Sequence, residues 1–137
     1  MTFEEAKGLL SDMRAAKRRA NAIKARIADI ESDAESISSA LAHIGVRGGV
    51  VRSRVEELAI KIESEREKHV AALEAYIAIS DKLALAIDTL DPMEKEVIFA
   101  FYLDGKTNWK VGEAVGYEKR NVCYIKERAI KKIAQQL

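Results

Sequence analysis

The C-terminal segment of the chain carries cationic and long polar side chains at spacings that suit contact with a polyanion. The candidates are Lys119, Arg120, Asn121, Tyr124, Lys126, Lys131 and Lys132. A guanidinium can bond bidentately to guanine O6 and N7, whereas a Lys ammonium neutralises phosphate without reading sequence. We therefore predict binding to double-stranded DNA. Lys119 and Arg120 would lie nearest the base edges, Asn121 or Tyr124 would contact a base or a phosphate, and the later lysines would contact phosphates.

The charge of the chain is concentrated where these residues lie. The 137 residues have a formal net charge of only +1. Residues 105–137 hold eight Lys and Arg against three Glu, while the remainder holds 15 basic and 19 acidic residues. A basic end on a nearly neutral chain indicates a localised polyanion-binding surface.

Three short helices are predicted to position this surface. Asp91-Pro92-Met93-Glu94 has the residues of a capping box with Pro at the first helical position, which predicts a helix from Pro92 to about Leu103 that ends at Gly105. The next helix follows Thr107, and Gly116-Tyr117 makes a tight turn before a last helix over about 119–134. The apolar positions expected inside are Val97, Ile98, Phe101, Tyr102, Val111, Ala114, Val115, Val122, Ile125, Ala129 and Ile133, with Trp109 and Tyr117 in or near the core.

The segment that runs from Thr107-Asn108-Trp109-Lys110 to Arg128-Ala129-Ile130-Lys131-Lys132-Ile133 resembles region 4 of bacterial sigma factors. That resemblance implies a helix-turn-helix that reads promoter DNA. With its long helical N-terminal half, the whole chain is similar to small phage and prophage late-gene regulators of the ArpU and RinA type. Two positions differ from the family pattern: Glu118 stands where Ser or Thr usually caps the recognition helix, and Lys110 where an acidic residue is usual.

Two long stripes of apolar residues precede this segment. Each alternates spacings of four and three, the period that keeps one helix face against a partner. The first stripe is Leu9, Met13, Ala16, Ala20, Ile23, Ile27, Ile30, Ala34, Ile37 and Leu41; the second is Val51, Val55, Leu58, Ile62, Glu65, His69, Ala72, Tyr76, Ile79, Leu83, Ala86 and Leu90. Three glycines between His43 and Val50 predict a reversal of direction. The stripes would pair within one chain as an antiparallel hairpin, or with a second copy as a coiled coil, and we expect a homodimer.

Several classes of protein are disfavoured by composition. The single Cys123 permits no internal disulfide, and it supplies no zinc site alone. We find no catalytic constellation and predict no enzyme, no cofactor and no metal. No apolar run approaches the length of a membrane span, and no signal sequence is recognised, so we expect a cytoplasmic protein of a bacterial host cell and no membrane partner.

The sequence thus predicts an all-α fold in which a long helical hairpin or coiled coil (1–90) precedes a three-helix, helix-turn-helix DNA-binding domain (91–137). The leading hypothesis is a sequence-specific transcriptional regulator, a late-gene activator acting with host RNA polymerase. One alternative is the small DNA-recognition subunit of a phage packaging terminase. Another is a coiled-coil adaptor that binds no DNA.

Overall fold

The chain is helical throughout the part that the structure describes. A computed structural model describes the backbone of residues 1–44 and 49–137 and the side chains of residues 1–40 and 53–137. The helices are α1 (Phe3–Ile44), α2 (Gly49–Asp88), α3 (Pro92–Ile98), α4 (Asn108–Val115) and α5 (Lys119–Gln136), with a π-helical turn (Phe99–Leu103) directly after α3. No strand occurs in these described ranges. The all-α fold, with two long helices before three short ones, is confirmed, while the centre of the predicted reversal, residues 45–48, lies outside the described residues.

The described chain divides into two compact units. One consists of Arg18–Glu74, and the other combines Met1–Lys17 with Ala75–Leu137. The second unit contains α3, the π-helical turn, α4 and α5, which we call the head. The compact unit that contains the head also includes the start of α1 and the end of α2, so it does not begin at the predicted domain boundary after residue 90.

In the unit formed by Arg18–Glu74, α1 and α2 pack against each other in opposite directions. Ala20 and Ile23 of α1 share a buried cluster with Ala72 of α2. Farther along α1, Glu31 accepts a hydrogen bond from Arg66 of α2 at 2.9 Å. Residue numbers therefore rise on α1 as they fall on α2, which is the antiparallel pairing expected of a helical hairpin.

One seam position in this unit is a buried carboxylate. Glu65 lies on the predicted stripe of α2 and is nearly inaccessible to solvent. Its oxygens lie 3.2 Å from the Lys68 Nζ and 3.8 Å from the Arg26 Nε. Since a buried charge is costly without a partner, these two cations allow a polar residue to remain at a seam position.

The unit that contains the head has a larger apolar core. Buried side chains from α1, α2 and the head meet in one cluster: Ala6, Leu10, Met13, Leu83, Ala86, Ile87, Leu90, Ile98, Tyr102, Ala129, Ile130, Ile133 and Ala134. Leu10 is fully buried and Leu9 only partly, so the predicted stripe of α1 shifts by one residue at its start. The shift occurs because this end of α1 packs into a core that includes α5 as well as α2.

A second, smaller core joins the three short helices. Val97, Ala100, Val111 and Val122 are buried there, and Met93, Phe101, Val115 and Ile125 pack against them. Most apolar positions predicted for the head lie in one of the two cores. Ala114 is exposed, and the buried neighbour of Val111 is Gly112 instead.

The ends of the short helices follow the predicted signals. The Asp91 N–H donates to the Glu94 Oε1 at 3.2 Å, as the predicted capping box requires. The Thr107 Oγ1 accepts from the Lys110 N–H at 3.3 Å and caps α4. Gly105 has a φ of 69°, the left-handed conformation expected of a residue that stops a helix.

The helix that begins at Pro92 widens before it ends. The Asp104 N–H bonds to the Phe99 carbonyl oxygen at 3.0 Å, five residues back, which defines a π-helical turn. Within this turn the Tyr102 ring is buried and meets the Phe101 ring edge-on, with centroids 4.8 Å apart. A single α-helix over 92–103 was predicted, because nothing in the apolar spacing distinguishes a π turn from an α turn.

None of the helices within the described ranges has the length and apolar content needed to cross a lipid bilayer.

Candidate nucleic-acid interface

The turn between α4 and α5 is fixed by two glycines. Gly116 ends α4 with a φ of 81°, and its N–H and that of Tyr117 both bond to the Gly112 carbonyl oxygen at 2.9 Å. A Cβ at Gly112 would collide with the Tyr117 carbonyl oxygen, so the chain can close this tightly only with glycine there. The result is two helices joined by three residues, the spacing of a helix-turn-helix.

One face of α5 is directed to solvent and carries most of the predicted contacts. We call it the outer stripe; its members are Arg120, Asn121, Tyr124, Arg128 and Lys131, all exposed. Successive members are one, three or four residues apart, and they lie opposite the buried Val122, Ala129 and Ile133. Glu127 is the acidic residue on the same side. The outer stripe therefore presents three cations, an amide and a phenol to solvent from a helix whose other side is held in the cores.

The start of α5 is also accessible. Lys119, the first residue of the helix, is exposed beside Arg120. Glu118 occupies the N-cap position with an extended backbone, and its side chain makes no capping hydrogen bond. An acidic side chain near the N-terminus still favours the helix dipole, but it adds a negative charge beside Lys119 and Arg120.

Lys126 is oriented differently from the outer stripe. Its ammonium nitrogen lies 3.8 Å from the centroid of the Phe101 ring and donates to the Asn108 Oδ1 at 3.1 Å. Burial lowers the pKa of this lysine. Lys126 therefore ties α5 to α4 and to the π-helical turn, on the flank of the helix and not on its exposed face.

Lys132 is held by carboxylates of the head. Its ammonium donates to the Glu94 Oε1 at 2.7 Å and to the Asp91 Oδ2 at 3.4 Å. The hydrogen bond to Glu94 raises the pKa of Lys132, although desolvation opposes it, and the hydrogen bond with Glu94 and the charge of Lys132 lower the pKa of Asp91. Because Glu94 is fully buried, Lys132 is its main counter-charge and joins α5 to the start of α3.

Arg128 belongs to the exposed surface but was not among the predicted contacts. It is exposed on the outer stripe, and its Nε lies 3.7 Å from the buried Glu94 Oε2. The signal was present in the sequence, because Arg128 follows Tyr124 by four residues and Asn121 by seven. Residues at those spacings share a helix face, so the residue could have been included on geometry alone.

Two aromatic residues expected in or near the core lie outside it. Trp109 is 60% exposed and Tyr117 is 42% exposed, so this expectation was wrong. The cause is the phase of α4: Val111 and Gly112 face inward, which turns Trp109 toward solvent. Tyr117 follows Gly116 in the turn, where the chain runs over the surface. Phe101 and Met93 supply the bulk that the small core needs.

The seven predicted contact residues therefore separate into two groups. Lys119, Arg120, Asn121, Tyr124 and Lys131 are exposed, whereas Lys126 and Lys132 have partners within the head. No protein-family model, no curated protein and no solved structure matches the chain.

Proposed function

We propose that this protein is a sequence-specific DNA-binding regulator of transcription and that the outer stripe of α5 enters the major groove. The observation that carries the proposal is the exposure of Arg120, Asn121 and Tyr124 on the first turns of a helix that follows a three-residue glycine turn. In helix-turn-helix proteins the N-terminal residues of the second helix contact base edges.

The two ends of the outer stripe have different roles in this proposal. Arg120 is placed to bond a guanine in the groove, with about 1–3 kcal/mol of discrimination for a good bidentate pair. Lys131, three turns farther along α5, neutralises a backbone phosphate and adds affinity that depends on salt but not on sequence. Lys132 contributes mainly by fixing α5 to α3, since Glu94 and Asp91 occupy its ammonium.

The resemblance to sigma region 4 and to phage late-gene regulators supports a more specific role. We propose late-gene activation of a phage or prophage through host RNA polymerase. The exposed Trp109 would be available to a protein partner in that case, because it lies on α4 outside both cores.

We include a homodimer in the proposal. Val70 and Leu73, one turn apart on α2, are 53% and 37% exposed, which leaves apolar surface that a second copy would cover. Two-fold symmetric regulators bind paired half-sites one helical turn apart. The expected mass in solution is that of two chains, and a single chain both free and on DNA would remove this part of the proposal.

Selection of bound sequences from random duplex DNA tests the main proposal. We expect an enriched site, and we expect Arg120→Ala to weaken binding to that site by about 10-fold or more while weakening binding to random duplex much less. Lys131→Ala should weaken both equally and reduce the salt slope by about one.

Arg54→Ala is the matched control, because Arg54 is an exposed arginine of α2 far from the head in sequence. It should leave both affinities unchanged. Equal losses on specific and random DNA for Arg120→Ala would remove that residue from base reading, and failure of the wild-type chain to bind duplex DNA would end the proposal.

A further inference from the structure

Two cations of the unit that contains the head share one aromatic ring. The Arg14 guanidinium carbon lies 4.6 Å from the centroid of the Phe101 ring, and the Lys126 ammonium lies 3.8 Å from the same point. Arg14 belongs to α1 and Lys126 to α5, so α1 brings a positive charge to the flank of the candidate DNA-reading helix. The ring attracts both cations, which offsets part of their mutual repulsion.

Further lysines extend this group along α1. Lys7 and Lys17 are seven residues before and three after Arg14, so all three lie near one face of the helix. Lys7 is exposed and Lys17 half-buried. Burial lowers the pKa of Lys126, and the positive charges of Lys7 and Arg14 lower it further, while Cys123 and Glu127 raise it. Ala6 and Leu10, on either side of Lys7 in the sequence, share a buried core with Ile130 and Ile133 of α5.

Carboxylates of the described residues do not neutralise these four cations, although the Lys126 ammonium donates to the Asn108 Oδ1. Among the described residues, none of Lys7, Arg14, Lys17 and Lys126 takes part in an ion pair. Arg14 makes one described hydrogen bond, a long one of 3.5 Å from its Nη2 to the Gly105 carbonyl oxygen. A guanidinium has five N–H donors in a fork that matches phosphate; the Nε–H of Arg14 is buried without a partner, so only its Nη donors are left for a ligand.

We propose that Lys7, Arg14 and Lys17 form a clamp for the phosphate backbone of duplex DNA beside the groove entered by α5, while Lys126, held by Asn108 and the Phe101 ring, adds positive charge next to it. The clamp rests on the proposed function and extends it, because it adds a contact from α1, outside the residues that resemble sigma region 4. Lys126 follows Lys119 by two turns on one flank of α5, which connects the clamp to the start of the outer stripe. A polyanion suits the site, because each cation that neutralises a DNA phosphate releases counterions, and that release favours binding.

The test compares two double variants of the full chain. Lys7→Gln with Lys17→Gln removes two clamp charges but keeps most of each side-chain stem. Lys24→Gln with Lys61→Gln removes two exposed lysines of the unit formed by Arg18–Glu74 and serves as the matched control. Binding to the selected site and to random duplex is measured between about 50 and 200 mM salt, the range over which such contacts weaken strongly.

We expect the clamp variant to lower the slope of log K against log salt by about 1.8, at about 0.9 per lost phosphate contact. The loss should be equal on specific and random DNA, because phosphates carry no sequence. The control should retain the wild-type slope. Backbone footprinting should also lose protected positions at the edge of the site in the clamp variant alone.

The outcomes separate this inference from the function on which it rests. If the wild-type chain binds the selected site and the clamp variant keeps its slope and footprint, the clamp is wrong while the proposed function stands; the cations would then serve another anionic partner, such as an acidic protein surface. If the slope of log K against log salt falls as much for the control variant as for the clamp variant, the contact is not localised and the clamp proposal is again wrong. If the wild-type chain binds no duplex, both proposals fall.

Discussion

The unit formed by Arg18–Glu74 and the head each bury one carboxylate among cations, but they hold it differently. In the helix pair, Glu65 has two partners that are themselves mostly exposed, at 3.2 and 3.8 Å. In the head, Glu94 is fully buried, accepts from Lys132 at 2.7 Å and also accepts the backbone N–H of Asp91. The first carboxylate is tolerated at a seam, while the second joins α3 to α5. The head therefore uses its charges to fix the angle of its exposed helix.

The largest expected effect tests whether the helix pair depends on its apolar seam. Ile23 is almost fully buried on α1, so Ile23→Asp places a charge in that seam and should cost more than about 4 kcal/mol in the free energy of unfolding. Hydrogen exchange should rise in residues 18–74. Ala22→Asp is the matched control, since Ala22 is the exposed neighbour, and it should change stability little. Equal losses of stability for the two variants would contradict the conclusion that the helix pair depends on its apolar seam.

A medium effect compares the two carboxylates directly. Glu94→Gln keeps the shape of the side chain but removes the charge from Lys132 and Arg128, and we expect a loss of about 1–3 kcal/mol in denaturant unfolding. Glu65→Gln should cost less, since its partners are exposed and readily hydrated. A larger loss for Glu65→Gln would reverse the comparison.

The smallest effect concerns backbone conformation. Gly116 has a φ of 81° and open space around a would-be Cβ, so Gly116→Ala should cost about 1–2 kcal/mol from the left-handed conformation alone. Gly8 also has open space, but it lies inside α1, and Gly8→Ala should instead stabilise the chain by about 0.5–1 kcal/mol. Thermal unfolding of the two variants would show opposite signs, and a shared sign would refute the turn geometry.

Much of the fold could be predicted because its signals are local. Asp91 and Thr107 mark helix starts through bonds to residues three positions away, Gly105 marks a helix end by its positive φ, and apolar spacing marks the buried faces. The exposure of Arg120 and Tyr124 follows from the same spacing, because the inward positions of α5 are apolar. Local signals of this kind are read from a single sequence.

The features of the fold and the site that were not predicted depend on contacts between residues far apart in the sequence. Lys126 and Lys132 carry the same charge as Lys131, and their inward orientation follows only from Phe101 and Glu94, which lie 25 and 38 residues earlier in the chain. The packing of Leu10 and Met13 with Ile130 and Ile133 likewise joins the two ends of the chain. Such contacts have no counterpart in the periodicity of a single sequence.

The π-helical turn at Phe99–Leu103 has a consequence for length variants of this chain. A turn closed over five residues contains one residue more than the α-helical turns around it. A single deletion within Phe99–Leu103 would remove that extra residue and allow ordinary α-helical bonding. The side chains inside the turn would change direction, among them Phe101, whose ring contacts both Arg14 and Lys126. Shortening this stretch would therefore change the surroundings of the Arg14 and Lys126 charges while the helix content stayed nearly the same.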